Sequence, residues 1–242
     1  MTRDKAPSRF DNVLIRRLER FSALAPDDKA ALSGVLEHVR FVAADAEATD
    51  PGDGAGSVLL LHAGIACQTA RAMNGSDAII KYLLPGDFCN LPALIARSDF
   101  TTVRTMTDCE FFVLESRHID GLLARPGIAK AMMRSLVADE SLARGEILNV
   151  ASRRSEQRVA HFLCEIYVRL SISGLSADGV VSLPFAQDGL GRSLGISKVH
   201  VNRALQNIRR REMIGLKRRR IDILDFQGLK EMCDFDPTYL CA

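Results

Sequence analysis

The sequence predicts an α+β protein in which an antiparallel β-roll, a long helix and a winged helix-turn-helix follow one another along the chain. Short apolar runs separated by turn-forming residues fill positions 39–115, a pattern typical of a small antiparallel roll. A proline-free segment with helical apolar spacing follows at 128–152. Near the C-terminus, Leu190–Arg211 has the punctuation of two short helices joined by a tight turn, and a basic hairpin comes after it.

Positive charge is concentrated in the C-terminal part of an otherwise ordinary composition. The chain has 242 residues, of which 47% are hydrophobic and 26% charged, and its formal net charge is +2. Between Gln187 and Arg220 there are ten Lys or Arg and two acidic residues, so this stretch carries +8 and the remainder carries −6. Such an asymmetry is expected where one module binds a polyanion, and a solvated basic helix is the alternative.

The N-terminus and the cysteines exclude several classes of protein. The N-terminus is charged from its third residue, and no run approaches the ~18 apolar residues that a membrane span requires, so we expect a cytoplasmic protein. The six cysteines are scattered without a CxxC pair, which argues against disulfides and against a zinc or iron–sulfur site. Motifs for a nucleophile elbow, a phosphate-binding loop or a zinc protease are missing, so we predict no catalytic residues and no enzyme.

In chain order, the first predicted elements are two short helices and a series of short strands. Residues 10–37 have helical apolar spacing, and Pro26 opens the second helix. Turn clusters at 50–57, 74–77 and 85–87 divide the region that follows. The strands between them are predicted from four apolar runs, Val58–Leu61, Ile79–Leu84, Thr101–Met106 and Phe111–Leu114.

The long helix is predicted from an apolar stripe with spacings of three, four and seven residues. The stripe consists of Ile128, Met132, Leu136, Ala143, Ile147 and Val150. We favour a dimer interface for it, because a helix-turn-helix that reads two half-sites of DNA needs a twofold axis. Packing against the core of its own subunit is the alternative. Arg153-Arg154-Ser155 then marks a hinge before the next helix, Glu156–Ile172.

The second helix of the helix-turn-helix has one apolar and one polar face. Ser197 can cap its N-terminus, and Val201, Leu205 and Ile208 form a stripe that packs inward. Arg, Asn and Gln on the opposite face match the edges of guanine and adenine in the major groove. We therefore predict DNA contacts from Ser197, Lys198, Val199, His200, Asn202, Arg203, Gln206 and Arg210.

Short strands are predicted on both sides of the helix-turn-helix. Val180–Leu183 forms one before it, and after it Lys217–Arg220 and Ile221–Leu224 form a hairpin, which we interpret as a wing. Basic side chains on a hairpin beside the groove suit phosphates better than bases. The predicted phosphate contacts are Lys217, Arg218, Arg219 and Arg220.

With these residues in hand, the chain resembles the Crp/Fnr family of bacterial transcription regulators. Residues 183–214, LPFAQDGLGRSLGISKVHVNRALQNIRRREMI, follow the family pattern of an apolar residue and then TQxxLAxxLGLTxVHVNRxLxxLRxxGLI. The glycines at 54, 64 and 86 and the Asp-Phe-Asp-Pro tail at 234–237 also fit. The resemblance implies a cyclic-nucleotide-binding-like sensor roll within 1–153, a dimerisation helix at about 127–152 and a winged helix within 154–242.

The resemblance also implies partners and a reading residue. The family acts as homodimers on double-stranded DNA, with RNA polymerase as a further partner if the protein is an activator, and with no membrane. The Arg that the family directs at guanine falls on Arg203. Four positions earlier, many members have an acidic residue where this chain has Val199, so the usual half-site cannot be transferred. The first helix has Ala186 in place of a Thr cap, and Gly189 and Gly191 are expected to weaken it.

The candidate effector pocket departs from the family's cyclic-nucleotide site. Asn90-Leu91 stands where a Gly-Glu pair binds ribose, and Asp99-Phe100 stands where an Arg-Ser or Arg-Thr pair binds phosphate. We therefore expect no cyclic AMP. The iron–sulfur cysteines are missing, because none precedes Cys67, and haem is not expected on His62 or His118. The candidate pocket residues are Phe88, Cys89, Asn90, Leu91, Asp99, Phe100, Thr101 and Thr102. A cyclic-nucleotide module of an enzyme remains the alternative.

Overall fold

The N-terminal half is a roll of two three-stranded antiparallel sheets. The structure is a computed structural model that describes residues 12–49, 57–71, 75, 77–91, 101–173, 187–217 and 220–240. The first sheet has the order β1-β6-β2 and the second β4-β3-β5. The strands are β1 (Val39–Val42), β2 (Ser57–Ala63), β3 (Ala66–Arg71), β4 (Asp77–Leu83), β5 (Thr101–Thr105) and β6 (Cys109–Glu115).

The alternation of side chains along β2 and β6 gives the first sheet two buried faces. Leu59, Leu61 and Phe111 point into the roll and form its core with residues of the second sheet. Leu60 and Phe112, on the opposite face, pack against helices outside the roll. These helices are α1 (Val13–Glu19), α2 (Pro26–Gly34), α3 (Ser116–Leu123) and the start of α4 (Pro126–Ser152).

Helix α4 confirms the long predicted helix but corrects its apolar stripe. Ile128 and Met132 are 0% and 4% exposed, because they pack in the same core as α1 and the outer face of β2. A side chain buried within its own subunit has no surface left for a partner, so both residues leave the predicted dimer interface. Leu136, Ala143, Ile147 and Val150 remain at the surface.

The C-terminal part is helical with one small hairpin. The elements are α5 (Ser155–Ile172), α6 (Gln187–Leu194), α7 (Lys198–Arg210), β7 (Ile214–Lys217), β8 (Arg220–Ile223), α8 (Phe226–Cys233) and a 3-10 helix (Pro237–Leu240). The predicted strand Val180–Leu183 lies outside the described residues. The predicted hairpin is shifted: the first strand, β7, ends at Lys217, which pairs with Arg220 at the start of the second strand. Residues 226–240 carry a helix and a 3-10 turn that the sequence analysis did not predict.

The roll packs directly on the C-terminal helices. The rings of Tyr82 in β4 and Phe162 in α5 are 5.1 Å apart, and Tyr82 lies in one apolar core with Val159, Leu190 and Leu205. The chain leaves α4 at Arg153, where the sequence predicts a hinge, and α5 begins two residues later. In the described part of the chain, no helix has the length and apolar content that a membrane crossing needs.

Candidate nucleic-acid interface

Helix α7 has the two faces that its sequence predicts. Val201, Leu205 and Ile208 are at most 2% exposed and pack in the core of the C-terminal half. The opposite face carries the predicted DNA-contacting side chains. Six of them, Ser197, Lys198, Val199, His200, Arg203 and Arg210, are exposed, and Asn202 and Gln206 are half-buried. This face of α7 is therefore accessible to a large ligand such as double-stranded DNA.

The N-terminus of α7 is held by its cap. The Ser197 hydroxyl accepts a hydrogen bond from the backbone N–H of His200 at 3.3 Å, and it lies 2.8 Å from Nδ1 of the same imidazole. The cap fixes the first turn and holds His200 beside it. Because the N-terminus of a helix favours negative charge, this turn suits a DNA phosphate.

Two glycines set the turn between α6 and α7. Gly195 has φ +62°, a conformation that side chains with a Cβ rarely adopt. At Gly191 a Cβ would lie 2.7 Å from the carbonyl oxygen of Ile196, too close for any side chain. The Ile196 N–H donates to the Gly191 carbonyl at 3.1 Å. Gly191 thus allows the turn to pack closely against α6. This close packing explains why α6 contains a glycine that by itself would weaken the helix.

Arg203 and Arg210 differ in how they are held. The Arg210 guanidinium donates to Oδ1 of Asn207, and Nδ2 of Asn207 donates to Glu156 of α5 at 3.1 Å. Within the described residues, Arg203 makes no ion pair. Arg203 can therefore extend into a groove without breaking an ion pair with another described residue.

The wing is described at its base and not at its tip. Arg218 and Arg219 lie outside the described residues, and for Arg220 only the backbone is described. The Lys217 side chain is 80% exposed, and its Nζ lies 3.9 Å from Oδ2 of Asp222. Lys217 lies at the exposed end of β7, the strand that follows α7 along the chain, so its ammonium group is available to a phosphate.

The predicted effector residues fall into three groups. Phe88, Cys89 and Asn90 are buried, and Asn90 accepts from the Leu59 N–H at 2.8 Å and donates to the Ser57 carbonyl at 3.1 Å. This amide joins the turn after β4 to β2, so its oxygen and its nitrogen both have partners within the roll. Leu91 packs against the core between the first sheet and the outer helices, and Thr101 and Thr102 are half-buried in β5. Asp99 and Phe100 lie outside the described residues.

These residues do not fit a cyclic nucleotide. Asn90 and Leu91 supply no carboxylate for a ribose hydroxyl, and the one polar side chain of the pair is already bonded within the roll. A cavity of about 640 Å³ lies away from these residues, between β4, α4 and α5. Its walls are mostly apolar, with Ile79 and Tyr82 on the roll side and Phe162 on α5. A molecule in this cavity would touch both halves of the chain.

A buried ion network joins the roll to α1, α4 and α5. Asp87, in the turn after β4, pairs with Arg17 of α1 and with Arg169 of α5, the latter at 2.8 Å. Arg17 also reaches Asp139 of α4 at 2.8 Å. Burial by itself would raise the pKa of the Asp87 carboxyl, but Arg169 and Arg17 favour its ionised form, so the pKa lies well below its usual range.

A second polar cluster lies where α4 meets α5. One donor atom each from Glu146, His161 and Glu165 lie within 4.8 Å of one another. Burial, together with repulsion from Glu165, raises the pKa of Glu146 to about 8. Burial, together with the nearby charge of Arg153, lowers the pKa of His161 to about 4. The sequence analysis missed this cluster, although His161 and Glu165 have the i, i+4 spacing that places two side chains on one face of a helix.

Two known domain families match the chain. The Crp-like helix-turn-helix domain matches residues 157–232, and the cyclic nucleotide-binding domain matches residues 39–126. The transcriptional activatory protein AadR of Rhodopseudomonas palustris is 27% identical over 213 residues, which cover 87% of each protein. The transcriptional regulatory protein btr of Bordetella pertussis is 26% identical over 160 residues, so the chain spans 66% of that relative. The structure of FixK2 from Bradyrhizobium japonicum has a TM-score of 0.71 at 20% identity and covers 81% of this chain and 96% of its own.

The matches follow the order that the sequence predicts, with the sheet domain before the helix-turn-helix. The relatives are regulators of transcription, which agrees with the prediction of a DNA-binding regulator and not an enzyme. The likeness to FixK2 confirms the predicted α+β fold. The chain belongs to the Crp/Fnr family of DNA-binding transcription regulators.

Proposed function

We propose that the protein acts as a homodimer on an operator with two half-sites, through a seam along α4. The observation that carries this proposal is a set of large apolar side chains that stay exposed on one helix. They are Met133, Leu136, Val137, Ile147, Leu148 and Val150, between 37% and 69% exposed. Contiguous apolar surface of this kind marks an interaction site. A partner helix related by a twofold axis would cover it and would set two copies of α7 against one face of the DNA.

The substitution Leu136→Glu tests the seam. Leu136 is 48% exposed in the single chain, so a carboxylate there is solvated in the monomer and buried only in the dimer. We expect this variant to sediment as a folded monomer. Leu123→Glu is the matched control, since Leu123 is 46% exposed on α3, outside α4, and this variant should remain a dimer. A dimeric Leu136→Glu protein would place the seam elsewhere.

The operator is best found by selecting bound sequences from a random pool of double-stranded DNA. If two α7 helices read successive major grooves, the half-site centres should lie one helical turn apart, about 34–36 Å, or a multiple of it. Enrichment of a single unrepeated motif would contradict the twofold arrangement. We propose no role for cyclic AMP, iron–sulfur or haem. The relative AadR is named a transcriptional activatory protein. If this protein also activates transcription, RNA polymerase is a further partner.

A further inference from the structure

We propose that Glu146, His161 and Glu165 form a site for one divalent transition-metal ion of the zinc class, placed between the long helix and the DNA-binding domain. Their donor atoms lie within 4.8 Å of one another. One imidazole nitrogen and two carboxylate oxygens are ligands that zinc commonly takes, with a fourth position left for water. Around a tetrahedral ion the donor atoms are about 3.4 Å apart, so side-chain movements of about 1 Å would close the site.

Unpartnered buried atoms in the cluster independently indicate a missing ligand. His161 is 3% exposed, and its Nδ1 has no hydrogen-bond partner among the described residues. Glu165 is 4% exposed; Oε1 accepts from Arg169 at 3.4 Å, whereas Oε2 receives no hydrogen bond from an N–H or hydroxyl group in the described part of the chain. A buried polar atom left unsatisfied carries a desolvation cost, which is larger when the atom is charged. An ion between these side chains would remove that cost for both.

The surroundings supply further oxygen atoms and set the charge. The Oδ1 of Asn149, one turn after Glu146 on α4, is also buried and has no hydrogen-bond partner where the structure describes the chain. Arg169 is the cation that competes for Glu165, and it is shared with Asp87. When both carboxylates are ionised, they carry one negative charge beyond what Arg169 offsets. Two carboxylates so close disfavour joint ionisation, and a divalent cation removes this repulsion.

The position of the site gives the ion a mechanical consequence. Glu146 belongs to α4, whereas His161 and Glu165 belong to α5, and the predicted hinge at 153–154 lies between these helices. A bound ion would therefore hold the DNA-binding domain at one angle to the long helix. If the ion binds one arrangement of the two helices more tightly than another, linkage requires that it change the affinity of the protein for DNA. This last step depends on the proposed function, whereas binding of the ion does not.

The test titrates Co²⁺ into the full-length protein and follows its visible absorption, with Zn²⁺ as the competitor. We expect one ion per chain and tetrahedral cobalt bands that Zn²⁺ removes. Glu146→Gln, which keeps the shape of the side chain, should weaken binding by at least about tenfold, and His161→Gln should do the same. If one variant does not fold, the other decides. Glu231→Gln and His118→Gln are matched controls, one an exposed carboxylate and the other a histidine with an unpartnered buried Nδ1.

The outcomes separate the site from its consequence. Absence of saturable binding, or equal weakening by the control variants, would overturn the site. If the ion binds as expected, its effect on affinity for the selected operator is measured with and without Zn²⁺. A change that Glu146→Gln abolishes supports the hinge role. An unchanged affinity overturns that role while the site stands, and failure of any DNA binding would count against the proposed function and not against the site.

Discussion

Replacing Asp87 by Asn tests whether one carboxylate holds the roll to the helices around it. The Asp87 side chain is 8% exposed and pairs with Arg17 and Arg169, whose side chains are equally buried. Removing one partner of a buried ion pair costs about 3–5 kcal/mol, since a charge is left without compensation. Arg17 keeps Asp139, and Arg169 keeps Glu165, so we expect the lower end, about 3 kcal/mol.

Urea unfolding measures this loss. With a slope of about 3 kcal/mol per molar, a loss of about 3 kcal/mol lowers the midpoint by about 1 M. The control is Glu115→Gln, which breaks the exposed pair between Glu115 and Arg117 at 2.7 Å and should cost less than about 1 kcal/mol. The two pairs differ chiefly in burial. An Asp87→Asn midpoint no lower than that of Glu115→Gln would refute the reasoning from burial.

Four further results are expected. Arg203→Ala should relax base preference at one position per half-site, whereas Lys217→Ala should weaken binding to all sequences alike and reduce the slope of log affinity against log salt by about one. Binding assays on single-base operator variants at several salt concentrations distinguish the two effects. If the two variants show the opposite pattern, the roles given to Arg203 and Lys217 must be exchanged. Gly191→Ala should destabilise the protein, because its Cβ would clash with the Ile196 carbonyl oxygen. Gly189→Ala, whose Cβ would make ordinary contacts, should be neutral or stabilising by up to about 1 kcal/mol. Thermal melts that rank the two variants in the opposite order would contradict the turn geometry. Because the pKa of Asp87 is lower in the folded than in the unfolded chain, its contribution is complete above pH ~4 and is lost as the pH falls further, so acid unfolding of Asp87→Asn should show a weaker pH dependence. Calorimetry with millimolar cyclic AMP should show no binding, and a micromolar dissociation constant would mean that the ribose and phosphate positions were misassigned.

The sequence by itself determined the elements whose signals are local. The inward stripe of α7 could be read from the spacing of Val201, Leu205 and Ile208, because helical periodicity depends only on neighbours along the chain. The cap at Ser197 and the turn at Gly195 were equally legible, since each acts within a few residues. The order of roll, long helix and helix-turn-helix followed from the same signals.

Tertiary structure alone decided what covers each face and which distant groups meet. Ile128 and Leu136 belong to one apolar stripe in the sequence. Ile128 is nevertheless buried in the core formed with α1 and the outer face of β2, whereas Leu136 stays at the surface. Asp87 and Arg169 lie 82 residues apart, so no local pattern announces their pairing. The same holds for Glu146 and His161, which meet only because α5 folds back along α4. Periodicity reveals that a face is apolar or a residue is charged, and only the packing of the chain fixes which partner satisfies it.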